Sequence, residues 1–145
     1  MTKKEFRALW AVPIDIDARR KRIEQMQAML DDAPMVVDTV QASSAAPAYG
    51  MHTVRITGIE ASGRAERRAV LAKLQDDMEQ RNRQYKADYA QAVELIEGIE
   101  DTDLRAAVHM ACLDGEGWEY IAARLGKTGD AWRMRVERWL DANLQ

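Results

Sequence analysis

The chain has 145 residues, of which 47% are hydrophobic and 31% are charged, and its formal net charge at pH 7 is -3. This length allows one core, or one small module with an extended element, because single domains usually hold about 100 to 150 residues. The apolar share excludes a disordered chain, and the balance of 21 basic and 24 acidic side chains excludes a global attraction to nucleic acid.

Residue usage predicts an all-α protein in the cytoplasm. Leu, Met, Ala, Arg, Gln and Glu are frequent, and these residue types favour helix over strand. The single cysteine, Cys112, cannot form an internal disulfide, and the N-terminal stretch has no long apolar run for secretion or membrane insertion. We therefore expect no contact with a membrane.

The first predicted helix begins near Pro13, because proline suits a first turn and Asp15 and Asp17 suit the positive end of the helix dipole. Apolar residues recur here at steps of three and four, which is the seam of a coiled coil. Only Arg19 interrupts this seam. The seam residues are Leu9, Val12, Ile16, Ile23, Met26 and Leu30.

Residues 32–63 are predicted to form an irregular linker that contains one short strand. Helix breakers recur through it, namely Pro34, Pro47, Gly50, Gly58 and Gly63. Residues 53–57 alternate polar and apolar side chains, which is typical of a strand. Because one short strand is unstable alone, it has to pack on another element or pair with a partner chain.

A second long helix is predicted from near Arg64 to Ile99, again with heptad-like spacing. Its seam residues are Leu71, Leu74, Met78, Tyr85, Tyr89, Ala92, Val93, Ile96 and Ile99. The simplest architecture for residues 1–99 is a long helical hairpin or coiled-coil stalk. We interpret this half as an oligomerisation element, and we expect a homo-oligomer.

Residues 100–145 are predicted to form a separate module of three short helices, at 103–113, 118–125 and 129–144. Gly126 ends the middle helix, and Thr128 supplies an N-cap oxygen for the last one. The predicted core is Leu104, Val108, Ala111, Cys112, Trp118, Ile121, Ala122, Leu125, Trp132, Val136, Trp139 and Leu140. Two amphipathic helices joined by a short turn are typical of a helix-turn-helix, whose last helix can enter the major groove.

Two groups of motifs support this interpretation. The first comprises residues 38–44, Pro47-Ala48-Tyr49, His52 and Ile56-Thr57-Gly58. The second comprises Leu104-Arg105, Asp114-Gly115, Trp118-Glu119, Ile121-Ala122, Arg124-Leu125-Gly126, Thr128 and Arg138. In order and spacing they resemble the RinA-like activators of phages that infect Gram-positive bacteria, whose last segment is similar to the promoter-reading C-terminal domain of sigma factors.

The resemblance implies a phage late-gene activator that works in the cytoplasm of its bacterial host. It covers most of the chain, with two departures in the C-terminal module. Ala111-Cys112 stand where the family commonly has Arg-Tyr, and Gly129-Asp130 stand at the exposed start of the last helix.

The candidate DNA-binding residues lie in the predicted turn and the helices on either side of it. They are Arg124, Lys127, Thr128, Arg133, Met134 and Arg138. Arg133, Met134 and Arg138 are candidates for DNA contact from the last helix, while Lys127 and Arg124 are candidates for phosphate binding.

The charge balance of the module leaves two functions open. Its bases are Arg105, Arg124, Lys127, Arg133, Arg135 and Arg138, and its acids are Glu100, Asp101, Asp103, Asp114, Glu116, Glu119, Asp130, Glu137 and Asp141. The leading hypothesis is a transcription regulator that binds double-stranded DNA, with bacterial RNA polymerase as a further partner. The alternative, which the acidic excess favours, is an interaction protein that binds RNA polymerase or a phage packaging or defence component without touching DNA.

Two further basic clusters and the pair His109 and Cys112 are not interpreted as binding sites. Residues 19–22 and the arginines at 64, 67 and 68 are interpreted as solvated helix faces. His109 and Cys112 are too few to hold a metal, so no metal and no cofactor are expected. Without a nucleophile motif or a glycine-rich phosphate loop, we expect no enzyme.

Overall fold

The computed structural model describes residues 1–31, 36–43, 51–58 and 61–145. Its elements are α1 (Lys3–Ala8), a 3₁₀ turn (Leu9–Ala11), α2 (Val12–Asp31), β1 (Val36–Ser43), β2 (Met51–Gly58), α3 (Ala61–Glu97), α4 (Thr102–Cys112), α5 (Trp118–Leu125) and α6 (Gly129–Asn143). The predicted helical class is confirmed. No helix in these residues is long and apolar enough to cross a membrane.

The chain divides into two compact units. Unit 1 comprises Met1–Arg20 and Met78–Gln145, and unit 2 comprises Lys21–Asp77. The division predicted between residues 99 and 100 therefore differs from the one in the structure. The reason is that the end of α3 and the N-terminal segment share one core with the last three helices.

Unit 2 joins its two helical segments through a β-hairpin. β1 and β2 pair antiparallel, from Val36 opposite Gly58 to Ser43 opposite Met51. The strand predicted at 53–57 lies within β2, and its partner is β1 of the same chain. Residues 36–43 and 51–58 are therefore regular strands and not parts of the irregular linker that was predicted. Their backbone groups hydrogen-bond to each other. Gly63 lies inside α3, which begins at Ala61, so the helix starts earlier than predicted.

Seam residues of both α2 and α3 are buried in unit 2. Ile23 and Leu30 of α2 and Leu71 of α3 are buried. Arg64 Nη2 donates a hydrogen bond of 2.9 Å to the carbonyl oxygen of Leu30. This contact satisfies a backbone acceptor in the last turn of α2, which has no partner within the helix itself.

The interruption of the seam at Arg19 lies in unit 1 and is compensated by charge pairing. Arg19 Nε lies 3.1 Å from Asp15 Oδ2. Arg81 Nε, from α3, lies 3.1 Å from the same carboxylate oxygen. Farther along α3, Tyr89 is exposed although the heptad pattern predicted it in the seam. The half-buried position is instead Asp88, one residue earlier, because a helix of 3.6 residues per turn drifts from a strict heptad.

The core of unit 1 collects side chains from five helices, the 3₁₀ turn and the connection between α3 and α4. Its buried members are Phe6, Leu9, Ala92, Ile96, Ile99, Ala107, Val108, Cys112, Ile121, Trp132, Val136 and Leu140. The other predicted core residues of the last three helices are partly buried against it, and Trp139 is one of them. Phe6, Leu9 and Ala107 were not among the predicted core residues of the module.

Helix α1 precedes the first helix predicted from the sequence. A capping box begins it: Glu5 N donates to Thr2 Oγ1 at 3.2 Å, and Thr2 N donates to Glu5 Oε2 at 2.7 Å. These contacts lower the pKa of Glu5, chiefly through the backbone amide of Thr2. The Phe6 ring lies 5.8 Å from that of Trp139, and Lys3 N donates to the carbonyl oxygen of Gln145 at 2.9 Å. Helix α1 thus packs onto α6.

Candidate nucleic-acid interface

Helices α4, α5 and α6 form what we call the C-terminal module. A side chain caps the N-terminus of each of its outer helices, α4 and α6. Asp101 Oδ1 accepts hydrogen bonds from the backbone amides of Asp103 and Leu104 at 3.0 and 3.1 Å. The Leu104 amide is the largest cause of a lowered pKa at Asp101, and the charge of Arg135 adds to it. Thr128 Oγ1 accepts from Ala131 N at 3.2 Å and caps α6, as the sequence predicted.

A turn of Gly126, Lys127 and Thr128 joins α5 to α6. Gly126 and Lys127 have φ angles of 82° and 63°, so the chain reverses through left-handed backbone. Trp132 Nε1 donates to the carbonyl oxygen of Gly126 at 2.6 Å and ties α6 to the turn. A Cβ on Gly129 would lie 3.2 Å from Trp118 Cβ, so a glycine here lets the two helices start close together.

All six candidate DNA-binding side chains belong to exposed residues of this module. Arg124 lies on α5 with its guanidinium carbon 5.7 Å from the centre of the Tyr120 ring. Lys127 lies on the turn, and its Nζ is 5.5 Å from the centre of the Trp132 ring. The hydroxyl of Thr128 is engaged as the cap of α6. The structure therefore brings the candidates together around the turn and along α6.

The three candidates on α6 differ in their partners. Arg133 Nε lies 3.3 Å from Asp130 Oδ1, and both side chains are solvent-exposed. Such an exposed pair is weak and exchanges easily with other anions. Met134 is 48% exposed. Within the described residues Arg138 makes no ion pair or hydrogen bond, so its guanidinium is available to a ligand.

The acidic side chains of α6 are largely neutralised by α1. Lys3 Nζ lies 2.9 Å from Glu137 Oε2 and also contacts Asp141 Oδ1. Arg7 Nη2 contacts the other carboxylate oxygen of Glu137. Counting charges over residues 100–145 therefore overstated the acidity of this surface. Sequence reasoning missed Lys3 and Arg7, although the capping box at Thr2 and Glu5 was a readable signal for a helix there.

On the other side of α6, Arg135 links this helix to the start of α4. Arg135 Nη2 contacts Asp101 Oδ2. The guanidinium carbon of Arg135 lies 5.3 Å from the centre of the Trp132 ring, so Trp132 has two cations near it. This basic residue is therefore part of the packing of the module, whereas Arg138 is not.

A cleft of about 330 Å³ lies beside α6. Its lining is Arg7, Trp10, Ala111, Cys112, Gly115, Glu116, Trp118, Arg133, Val136, Glu137 and Leu140. Trp10 is 41% exposed, and a Cβ on Gly115 would lie only 2.6 Å from its ring. Gly115 has a φ of 69°, so both the backbone conformation and the close ring require glycine.

The two side chains with metal-binding chemistry in this region are placed apart. Cys112 is buried, which raises its pKa from 9.0 to about 11. His109 is exposed, and its Nδ1 lies 3.1 Å from Asp114 Oδ2. No group of three or more His, Cys, Asp or Glu in the described part of the chain is arranged to hold a metal ion.

Comparison of the chain with protein-family models, curated proteins and solved structures finds no match. The resemblance to the RinA-like activators therefore rests on the motifs alone.

Proposed function

We propose that the protein is a DNA-binding transcription regulator in which α5 and α6 form a helix-turn-helix. The observation that carries the proposal is the division of charge on α6. Glu137 and Asp141 are paired with α1, while Arg138 has no partner among the described residues. A duplex that approaches the exposed side of α6 meets a cation and an apolar side chain, Arg138 and Met134, before it meets an unpaired acid.

The dimensions of α6 suit the major groove. The helix has 15 residues and is therefore about 22 Å long at about 1.5 Å per residue. Ala131, Met134 and Arg138 follow each other at steps of three and four, so they share one exposed face. In the groove, Arg138 would donate to guanine O6 and N7, and Met134 would contact a thymine methyl.

Cations at the turn supply the phosphate contacts. Arg124 and Lys127 are exposed, and each lies over an aromatic ring that limits its freedom. A side chain held in this way loses less entropy when it binds a phosphate. The start of α6 adds the positive end of its dipole next to Lys127.

Two finer parts of the proposal rest on other grounds. The regulator acts as a homo-oligomer, which would present two copies of α6 to DNA, and the exposed apolar Met29 and Val70 of unit 2 support such an assembly. Activation of phage late genes in the bacterial cytoplasm, together with RNA polymerase, is implied by the motif resemblance.

The test is duplex binding by Arg133→Ala/Arg138→Ala, measured by fluorescence anisotropy at several salt concentrations. Each lost contact should weaken binding by about 1 to 3 kcal/mol, while the melting temperature stays near that of wild type. Arg83→Ala, an exposed arginine on α3, is the matched control and should bind as wild type does. Equal affinity of all three proteins would contradict the DNA-reading helix.

A second candidate function is protein binding without DNA contact. The cleft beside α6 favours it, because Trp10 is 41% exposed there and aromatic residues are enriched at protein interfaces. In this case the wild type would bind RNA polymerase or another phage or host protein and would not bind random duplex DNA at low salt. Such a result would replace the first proposal.

A further inference from the structure

Three cations lie along an open cleft at α1 and the 3₁₀ turn. An open cleft of about 560 Å³ is lined by Thr2, Lys3, Lys4, Arg7, Ala8, Trp10, Ala11 and Gln145. Three of these residues are cations and none has an acidic side chain. We call this surface the α1 basic cleft.

The three cations of the α1 basic cleft have different roles. Lys3 is engaged with Glu137 and Asp141 and is largely covered. Arg7 contacts Glu137 with one nitrogen, yet its side chain is 44% exposed and keeps donors for another anion. Lys4 is exposed and makes no ion pair or hydrogen bond with any residue that the structure describes.

The α1 basic cleft adjoins the proposed DNA-reading helix. Lys3 and Arg7 reach Asp141 and Glu137 on α6, and Glu137 is the immediate neighbour of Arg138. A duplex that lies along α6 would therefore have a basic surface next to it at α1. Helices α1 and α6 belong to the same unit. The Lys3 amide donates a hydrogen bond to the carbonyl oxygen of Gln145, two residues after the end of α6.

We propose that the α1 basic cleft binds the phosphate backbone of duplex DNA beside α6, with Lys4 and Arg7 as the phosphate contacts. This inference rests on the proposed function. Charge complementarity favours DNA over a protein partner. The cleft combines the cations Lys4 and Arg7 with the hydroxyl of Thr2, and both kinds of group bind phosphate oxygens. Lys3 acts indirectly, because it pairs with Glu137 and Asp141 and so reduces their repulsion of the phosphates.

Lys4→Ala is the decisive variant, because Lys4 is exposed and makes no ion pair or hydrogen bond with the residues that the structure describes, so its loss should leave the melting temperature unchanged. Duplex affinity should fall about fivefold at low salt, and the slope of log K against log salt should decrease by about 0.9, since one fewer counterion is released. Lys4→Glu should weaken binding further. Lys86→Ala, an exposed lysine on α3 in the same unit, is the matched control and should change neither quantity.

Arg138→Ala is measured alongside to separate this inference from the proposed function. If Arg138→Ala weakens binding while Lys4→Ala and Lys4→Glu match wild type, α6 binds DNA and the α1 basic cleft does not. If Lys4→Ala and Lys86→Ala weaken binding equally, the effect is one of overall charge, and the cleft has no role. Absence of any binding by wild type overturns both proposals.

Discussion

The two units bury their apolar residues in different ways. In unit 2 the buried side chains Ile23, Leu30 and Leu71 come from one pair of helices, while Met29 and Val70 remain 72% and 50% exposed. Unit 1 closes a core from five helices around Trp132. The difference teaches that heptad spacing is enough to predict which helix positions are buried, whereas a core built from distant segments also decides which charges are paired and which are free.

The largest expected effect tests whether α1 belongs to the core of unit 1. Phe6→Ala should destabilise the protein by about 3 to 5 kcal/mol, the usual cost of truncating a buried aromatic side chain. Met29→Ala, in unit 2, removes an exposed side chain and should change stability by less than about 0.5 kcal/mol. Chemical denaturation followed by circular dichroism measures both. Similar small losses would mean that α1 is not part of the core and that the contrast between the units is wrong there.

A smaller effect is expected where Trp10 lies on Gly115. Gly115→Ala should cost about 1 to 3 kcal/mol, because alanine disfavours the φ of 69° and its Cβ would meet the Trp10 ring. Gly98→Ala is a matched control, since a Cβ there makes only ordinary contacts. It should be neutral or stabilising by up to about 1 kcal/mol through the unfolded chain. Thermal melts that rank the two variants in the opposite order would exclude the packing of Trp10 on Gly115.

The smallest effect concerns the chemistry of the buried thiol. Burial raises the pKa of Cys112 from 9.0 to about 11, so the folded protein disfavours the thiolate. Because the folded pKa is the higher one, this contribution to stability is complete below pH 9 and is lost as the pH rises from 9 to about 11. At pH 8 the native thiol should react with iodoacetamide roughly a hundredfold more slowly than the unfolded chain. Equal rates would show that the core of unit 1 opens readily at α4.

The positions of the helices after α1 were largely readable from the sequence alone, whereas α1 was missed. Thr128 caps α6 as expected, and α5 has the predicted bounds, because these features depend on neighbours within a few residues. The seam residues Leu9, Ile16, Ile23 and Leu30 are all buried, since a seven-residue repeat places them on one face. The exposure of Met134 and Arg138 also followed from helical periodicity, because they lie on the side of α6 opposite Trp132 and Val136.

Contacts between distant segments were not readable. Neither β1 as the partner of β2 nor the position of Phe6 beside Trp139 follows from local pattern, because both depend on residues far apart in the chain. The same holds for the charge on α6. Sequence counting made the module acidic, and only the folded arrangement brings Lys3 and Arg7 to Glu137 and Asp141. Helical periodicity acts over one or two turns, whereas ion pairing depends on which surfaces the core brings together.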